Sequence, residues 1–290
     1  MKRKRRRKRL AASKRPRQSD TDQQAYEAWL GSCGVTWSEG LFRTATQGVV
    51  AGQGCIATAH IQEGELICRV PRCACLGASK KRARAEPSAT DSQESLATIL
   101  LDEYSAGEAS PWAPLLKVLP AYVPCPWTWP VAARRYLNGT ELEAVLGVKL
   151  ERLKAESSGK VHHLKAYKEA CAVVTSHVNP WFGGSIVPFN FTLNYSAAPN
   201  VSFEGSGTHV IARATRPIAC GEELMQEYAD STAELIYRYG FAPQGLDLLE
   251  DDAVSISLTC IANACNITSA DGLSGRAAVL CAAGALAASP

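Results

Sequence analysis

Short β-type segments stand at both ends of the central region of this chain, with helical periodicity between them. The N-terminal candidates are residues 49–50, 55–58 and 65–70, and the C-terminal candidates are residues 186–188, 201–203, 209–212 and 223–224. Between the two groups, apolar side chains recur at helical spacing in residues 95–105, 140–156 and 161–178. Strands followed by helices and then by strands predict an α+β fold whose strand-bearing part is divided by a helical insert.

The sequence around these elements gives simpler predictions. Residues 24–31 and 233–239 have a short helical pattern, and the first of them ends at a glycine. Residues 77–92 are first basic and then polar, which predicts a loop, and the Pro- and Trp-rich residues 110–130 predict irregular structure. Because no run of 18 apolar residues occurs, we expect no membrane span and no membrane partner.

Charge is distributed unevenly along the chain. Residues 1–17 carry 11 of the 31 Lys and Arg and no acidic residue, so the remainder, with all 28 Asp and Glu, has a formal charge of −8. The basic clusters at residues 2–9 and 14–17 are typical of a two-part nuclear-import signal. The alternative is an arm that binds nucleic acid through phosphate contacts. The acidic remainder argues against a fold with a wholly basic nucleic-acid-binding face.

The cysteines are expected to be reduced and mostly buried. The chain has 11 of them, but it is long and shows no apolar export signal after its basic start. The only close spacings, Cys73/Cys75 and Cys260/Cys265, differ from the tighter pairs of structural zinc sites. We therefore expect no metal. G-x-S-x-G, P-loop and H-E-x-x-H motifs are also absent from the sequence.

Two turn-forming segments could contribute to a binding site. The first is Ala51-Gly52-Gln53-Gly54, which lacks the third glycine and the following long helix of a dinucleotide-binding fingerprint. The second is Leu193-Asn194-Tyr195-Ser196, followed by Asn200. Taken singly, each segment is equally typical of an ordinary turn, because Gly tolerates positive φ and Asn caps its own backbone.

A third segment completes the pattern. It runs from Gly221-Glu222-Glu223 to Tyr228, and Tyr239-Gly240-Phe241 follows it. A lone Tyr after a strand is commonly a packing residue with its hydroxyl in water. The order and spacing of the three segments, however, resemble those of the SET-domain protein-lysine methyltransferases. The most similar branch contains the Rubisco and the nuclear or ribosomal lysine methyltransferases, in which a helical insert splits the SET fold.

This resemblance covers roughly residues 35–245, and it implies an enzyme with a defined site. It assigns Tyr228 as the catalytic residue and Trp112, in the insert, as a substrate contact, although a packing tryptophan is an equally good interpretation at that position. It also assigns contacts with S-adenosyl-L-methionine to Gly52, Gln53, Gly54, Asn194, Tyr195, Tyr239 and Phe241.

The implied reaction needs orientation and a dry channel more than a protein nucleophile. The sulfonium methyl group of the cofactor is already reactive, and the substrate amine must meet it in line. Lysine has a reference pKa near 10.4, so its deprotonation near pH 7.4 costs about 4 kcal/mol. An aromatic channel lowers that pKa by desolvation, and the sulfonium lowers it further by repulsion. We expect Tyr228 to position the amine.

Three departures from the family pattern leave a second function open. Tyr195 stands where the family has His, and Ala229 stands where a Gly often follows the catalytic Tyr. Residues 175–178 differ from a family motif that supplies a cofactor contact near Ser176. Tyr228 and the glycines favour an active methyltransferase, whereas the departures favour a catalytically degenerate SET protein that acts as a nuclear binding module.

The predicted organisation has five segments. They are a disordered basic tail (1–23), the N-terminal part of the SET domain (24–94), the helical insert (95–180), the C-terminal part of the SET domain (181–245) and a remnant of a substrate-binding domain or a tail (246–290). The Ala-rich sequence at the end predicts a truncated helical C-terminal segment that is too small for a core of its own.

Charge and resemblance together predict the partners. An acidic body attracts a basic, lysine-containing protein substrate, such as a histone or a ribosomal protein. Residues 2–17 predict binding to a nuclear import receptor and a location in the nucleus or nucleolus, with the cytoplasm as the alternative. Direct binding of nucleic acid is expected only through this basic tail.

Overall fold

The computed structural model describes residues 20–38, 40–78, 89–157 and 164–242, and these contain strands at both ends and helices between them. The helices are α1 (Asp20–Ser32), α2 (Ala89–Ala106), α3 (Ala113–Val118), α4 (Val131–Arg134), α5 (Glu141–Ser157), α6 (Leu164–His177) and α7 (Thr232–Tyr239). The strands are β1 (Thr36–Trp37), β2 (Phe42–Ala45), β3 (Gly54–Ala57), β4 (Leu66–Pro71), β5 (Val178–Asn179), β6 (Ser185–Ile186), β7 (Asn194–Tyr195), β8 (Val201–Gly205), β9 (His209–Ala214) and β10 (Glu223–Gln226).

The first sheet joins the two strand groups that the helices separate in sequence. Its order is β1-β4-β9-β8, and all its pairs are antiparallel. Along β9, Val210, Ala212 and Ala214 are buried and the residues between them are partly exposed, which is the period of a strand with one face on a core. Val70 of β4 lies opposite Val210, and both side chains are buried.

The second sheet brings the three turn-rich segments together. Its order is β2-β3-β10-β7. Strand β10 pairs antiparallel with β3, where Leu224 faces Cys55, and parallel with β7, where Met225 faces Asn194. Because parallel neighbours need a long connection, the β8–β9 hairpin of the first sheet lies between them in sequence. The sheet thereby places the segment before Tyr228 beside both turns.

Helices α6 and α7 position the remaining side chains near these turns. Helix α6 is buried along most of its last ten residues, packs against α2, α5 and α7, and ends at His177. Helix α7 begins at a cap in which the Ser231 side chain accepts from the Glu234 amide at 3.2 Å, and it ends at Gly240, whose φ is +76°. A side chain at Gly240 would collide with the Pro124 carbonyl.

Predictions based on helical periodicity are confirmed for α5, α6 and α7, but several neighbouring predictions are wrong. Residues 20–23 belong to α1 and are not part of a disordered tail, because an acidic residue such as Asp22 suits the first turn of a helix. Residues 89–92 start α2 and do not continue the predicted loop. Residues 113–118 form a helix inside the Pro-rich segment, since Pro114 occupies its first turn, where proline is tolerated.

Three strand predictions also need correction. Residues 49–50 form a bend and not a strand. Of the predicted strand at 186–188, only Ile186 is in a strand, which Ser185 begins, and Pro188 has no N–H for a ladder. Asn194 and Tyr195 were expected in a turn, but they form β7 because β10 supplies a pairing partner.

Other predictions fall on residues that the structure does not describe. These are the basic tail up to residue 19, the loop at residues 79–88 and the C-terminal remnant from residue 243. Within the described ranges, no helix is long and apolar enough to cross a membrane. The same ranges contain no group of three or more His, Cys, Asp or Glu side chains that could hold a metal ion.

Candidate active site

A hydrogen-bonded clamp joins the glycine turn (residues 51–54) to β7 and β10. Asn194 Nδ2 lies within hydrogen-bonding distance of the Ala51 carbonyl (3.0 Å), the Gln53 carbonyl (3.2 Å) and Glu223 Oε1 (2.6 Å). The other carboxylate oxygen of Glu223 accepts from the Val50 amide at 2.7 Å. The clamp therefore fixes the turn against two strands that come from the other end of the domain.

The glycine turn can occupy this position only because its glycines lack side chains. A Cβ on Gly54 would lie 2.9 Å from Asn194 Nδ2 and would overlap Glu223 Oε1. Gly52 has a φ of +55°, in the left-handed region that favours glycine. Gln53 directs its amide to Gln23 Oε1 of α1 at 3.0 Å. A larger residue at position 54 would therefore displace the turn from the clamp.

Tyr228 follows β10 and is anchored through its hydroxyl. The hydroxyl donates to the Leu193 carbonyl at 2.6 Å, immediately before the clamp residue on β7. Tyr239 stacks on Tyr228 with ring centroids 4.6 Å apart, and its own hydroxyl donates to the Tyr228 carbonyl at 3.3 Å. Burial, with smaller contributions from Tyr239 and Glu223, raises the pKa of Tyr228 well above its usual value. The phenol is therefore protonated and a donor at neutral pH.

Tyr195, Tyr228, Tyr239 and Phe241 form one aromatic cluster. The ring of Tyr195 lies 5.7 Å from that of Tyr228 and 5.8 Å from that of Phe241, and Phe241 lies 6.2 Å from Tyr239. Neighbouring side chains on a strand point to opposite faces. On β7, Asn194 therefore belongs to the clamp while Tyr195 belongs to the aromatic cluster, and this strand links the two. Aromatic faces attract cations, which makes the cluster suitable for a positively charged group.

A pocket of about 200 Å³ opens beside the cluster. Its walls come from the end of α6, from β5, from the turn before β7, from the end of β10 and from α7. The lining residues are Ser176, His177, Val178, Asn179, Pro180, Asn190, Phe191, Gln226, Glu227, Tyr228, Arg238 and Tyr239. The glycine turn is not part of this lining, and it connects to the pocket through residues 193–195 and 223–228.

His177 gives the pocket a neutral imidazole. Its Nδ1 lies 2.9 Å from the Val173 carbonyl and 2.5 Å from Ser176 Oγ. Because a carbonyl can only accept, Nδ1 carries the ring proton and donates it. Burial lowers the pKa of His177 to about 4, and the hydrogen bond to Val173 partly opposes this effect. At neutral pH the ring is uncharged, with its lone pair on Nε2.

Comparison with models of known protein families identifies one family that matches this chain. A family model described as "SET domain" matches residues 52–229, which is more than half of the chain. This chain belongs to the SET-domain family. The match begins within the glycine turn and ends just after Tyr228, so it includes Asn194, Glu223 and most of the pocket. The SET-domain resemblance that the sequence motifs indicated is therefore confirmed.

Curated relatives of this SET-domain chain carry the name N-lysine methyltransferase SETD6. The protein from Bos taurus is 28% identical over 82% of this chain and 61% of its own length. The protein from Homo sapiens is 28% identical over 71% of this chain and 51% of its own length. The SET-domain chain thus spans between about half and three-fifths of the curated relatives that it matches.

Solved structures show the same SET-domain fold. A crystal structure of the SET domain of LSMT bound to MeLysine and AdoHcy has a TM-score of 0.65 and 20% identity, over 77% of this chain and 57% of that chain. A structure of Rubisco LSMT bound to Sinefungin and Monomethyllysine has a TM-score of 0.64 and 20% identity, over 78% of this chain and 57% of that chain. The predicted SET-type fold with a helical insert is confirmed.

The site residues predicted from the sequence fall into two linked groups of the SET domain, with one residue outside both. The clamp contains Gly52, Gln53, Gly54 and Asn194, and the aromatic cluster contains Tyr195, Tyr228, Tyr239 and Phe241. Trp112 lies in neither group. Its backbone N–H donates to Ser110 Oγ at 3.0 Å, and its side chain packs against the core. The structure does not bring Trp112 into the pocket.

Several residues of the SET-domain site were missed by sequence reasoning. Glu223 had a detectable signal in the Gly-x-Glu pattern, and Arg238 directly precedes Tyr239. His177 and Asn190 had no local signal, because only the packing of α6 and of the turn before β7 brings them to Tyr228. Ser176, where a family contact was expected to be affected by the altered motif, does line the pocket.

Proposed function

We propose that this chain is a protein-lysine N-methyltransferase that transfers a methyl group from S-adenosyl-L-methionine to the ε-amine of a lysine in a protein substrate. The observation that carries the proposal is the continuous link across residues 193–195. Asn194 binds the glycine turn, the Leu193 carbonyl binds the Tyr228 hydroxyl, and Tyr195 joins the aromatic cluster. The names of the SETD6 relatives support the same reaction.

The residues present fit S-adenosyl-L-methionine. A Cβ at Gly54 would collide with the Asn194 and Glu223 side chains and displace the turn, and the aromatic cluster offers faces that attract a sulfonium cation. When bound, the cofactor supplies an activated methyl group. The chain would hold it with Gly52, Gln53, Gly54, Asn194, Tyr195, Tyr239 and Phe241. The ligands AdoHcy and AdoMet in LSMT structures of the same fold support this assignment.

The pocket beside Tyr228 suits a lysine side chain that has lost its proton. Phe191, Tyr239 and the neutral His177 give it weakly polar walls, and desolvation there lowers the pKa of an amine. Arg238 also lines the pocket, and its guanidinium is paired with Glu234 at 2.9 Å. The protonated Tyr228 hydroxyl, anchored on Leu193, positions the amine at the cluster.

A catalytically degenerate SET protein is the second candidate, because Tyr195 and Ala229 depart from the family pattern. Tyr195 nevertheless places its ring in the aromatic cluster, while its neighbour Asn194 holds the glycine turn. Ala229 is buried and does not have a positive φ, so the backbone there does not require glycine. Both observations favour the active enzyme over the binding module.

The partners follow from charge. The formal charge of −8 outside residues 1–17 favours a basic protein substrate, such as a histone or a ribosomal protein. Residues 2–17 supply a basic signal for a nuclear import receptor, which supports a nuclear or nucleolar location. An arm that binds nucleic acid is compatible with either function.

Two measurements on the purified chain test the proposal. Calorimetry measures binding of S-adenosyl-L-methionine, and isotope-labelled cofactor with nuclear-extract proteins measures methyl transfer to lysine. Binding with transfer supports the enzyme, and binding without transfer supports the degenerate protein. Absence of cofactor binding by a folded chain overturns the enzyme.

A further inference from the structure

Two cysteines meet beside the edge strand β1, where α1 and β4 both end. Cys33 directly follows the last residue of α1. Cys73 lies in a single 3-10 turn (Arg72–Ala74) that directly follows β4. Because β1 and β4 pair antiparallel, with Thr36 opposite Arg69, the residues before β1 and the residues after β4 are brought to the same place.

Contact and charge both place the Cys73 thiol beside Cys33. Cys73 Sγ lies 3.7 Å from the Cys33 carbonyl oxygen. Burial raises the pKa of the Cys33 thiol, a hydrogen bond from Ser32 opposes this rise, and electrostatic repulsion from Cys73 adds to it. The backbones are also close, because a Cβ at Gly34 would lie 3.8 Å from Pro71 Cγ. Rotation of the Cys33 side chain towards the Cys73 sulfur is therefore the movement that an S–S bond requires.

A disulfide suits this pair better than the other roles of paired thiols. Among the described residues, no group of three or more His, Cys, Asp or Glu side chains could hold a metal ion. Cys75, the next cysteine along the chain, is 2% exposed, and burial raises its pKa to about 12, so its thiol is unreactive. Cys73 is exposed and Cys33 is partly exposed, so both sulfurs are accessible to an oxidant.

We propose that Cys33 and Cys73 form a reversible disulfide when hydrogen peroxide oxidises the protein. This inference is independent of the proposed methyl transfer. The exposed Cys73 sulfur attacks the peroxide, the O–O bond breaks, and a sulfenic acid forms with release of one water. The Cys33 sulfur then attacks that sulfur, the S–O bond breaks, and the hydroxide leaves with the thiol proton as a second water. The two sulfurs together lose two electrons, and these reduce the peroxide oxygens.

The bond would close a loop that contains the glycine turn. Residues 33–73 include β1, β2, β3 and β4, and residues 51–54 lie among them. The turn is already tied to the start of α1, because Gln53 donates to Gln23, and the disulfide would fix the other end of the same helix. A closed loop has less conformational freedom in the unfolded chain, which stabilises the folded one. Because disulfides are transient in a reducing compartment, this one would act as a redox switch of stability around the turn.

Peptide mapping of the full chain after treatment with hydrogen peroxide gives the first test. Trypsin places Cys33 in residues 18–43, and it places Cys73 together with Cys75 in residues 73–80. Wild type should yield these two peptides joined by a disulfide, and dithiothreitol should separate them. Cys73→Ser should yield no joined pair. The proposal is overturned if wild type gives no joined pair, or if Cys73→Ser still gives one, since Cys75 is then the partner.

Thermal unfolding gives the second test, because it measures the effect of the closed loop. Peroxide should raise the unfolding midpoint of wild type by at least roughly 5 °C, and dithiothreitol should reverse the rise. Cys33→Ser should show no rise, and Cys73→Ser takes its place if that variant does not fold.

Cys220→Ser is the matched control for both tests. It changes an exposed cysteine whose thiol donates to the Thr58 carbonyl at 3.2 Å, and it should behave as wild type does. An unchanged midpoint in wild type that carries the mapped disulfide overturns the switch of stability. Neither measurement depends on methyl transfer, so failure of the proposed function and failure of this proposal are distinguishable.

Discussion

Asn194 Nδ2 and Glu223 Oε1 share a 2.6 Å hydrogen bond between two residues that lie 29 positions apart on parallel neighbouring strands. The same carboxylate accepts from the Val50 amide, so β7, β10 and the glycine turn meet at one side chain. Tyr228 follows on the segment that carries Glu223 and donates to Leu193, which precedes Asn194. The position of the turn and the position of the phenol therefore depend on each other.

Glu223→Gln tests this dependence, because an amide has one acceptor oxygen where the carboxylate has two. One of the donors, Val50 N–H or Asn194 Nδ2, would then face an NH₂ group. We predict a loss of about 1–3 kcal/mol in the free energy of unfolding and weaker binding of S-adenosyl-L-methionine, measured by urea denaturation and calorimetry. Glu204→Gln, which removes an exposed ion pair with Arg213, should change stability by less than about 1 kcal/mol. Unchanged cofactor affinity in Glu223→Gln would contradict the role of the clamp.

Gly54→Ala should displace the turn, since the added Cβ would collide with Asn194 and Glu223. We expect a loss of about 1–3 kcal/mol in stability and a reduction of at least roughly tenfold in cofactor affinity, equivalent to one displaced contact group. Gly207→Ala is the matched control, because a Cβ there meets no atom within 4 Å. Equal cofactor affinity in the two variants would show that the turn does not contact the cofactor.

Stability should depend on pH through His177. Burial lowers the pKa of this imidazole to about 4 in the folded protein, against about 6.5 in the unfolded chain. The unfolded state takes up the proton first, so this contribution is fully present above about pH 6.5 and is lost as the pH falls towards 4. Between pH 7 and pH 5, wild type should lose about 2 kcal/mol more than His177→Phe in urea titrations. Parallel pH profiles for the two proteins would exclude a buried neutral imidazole.

Deletion of residues 1–17 should separate targeting from catalysis. The deletion removes 11 basic residues, so a fluorescent fusion should lose its nuclear accumulation while the purified protein still transfers methyl groups. Substitution of the cluster at residues 14–17 alone should give partial loss, as a two-part signal requires. Nuclear accumulation of the deletion variant would refute the signal. Salt-sensitive RNA or DNA binding that disappears with the deletion would identify a nucleic-acid-binding arm.

The sequence predicts those helices and strands whose apolar residues recur at a regular spacing within the element itself. The apolar spacing in residues 161–178 predicted α6 (Leu164–His177) within three residues at each end, because that spacing reflects packing on one helix face. Residues 193–196 predict a turn, whereas Asn194 and Tyr195 form β7, since a two-residue strand has no period and exists through its pairing with β10. Non-local pairing of this kind cannot be recognised from residues 193–196 alone.

The residues of the candidate site also fall into those that a sequence motif indicates and those that only tertiary packing brings together. Gly54, Asn194 and Tyr228 stand in short motifs with a fixed order along the chain, and the structure links them through hydrogen bonds. His177 and Asn190 belong to separate elements without a motif, and their place in the pocket follows from tertiary packing. Trp112 stands in a Pro-Trp-Ala-Pro segment that resembles a family position, but its side chain packs against the core and is not part of the pocket lining.

Methyl transfer by Tyr228→Phe, measured together with cofactor affinity, tests most directly whether the clamp and the pocket form one catalytic site. We predict that the variant binds S-adenosyl-L-methionine as wild type does and transfers methyl groups roughly 10²-fold more slowly, because the oriented hydroxyl is lost. Tyr104→Phe, a change at a residue that is 39% exposed, should match wild type in both measurements. A parental transfer rate in Tyr228→Phe, with cofactor binding intact, would contradict the assignment of this phenol to the reaction.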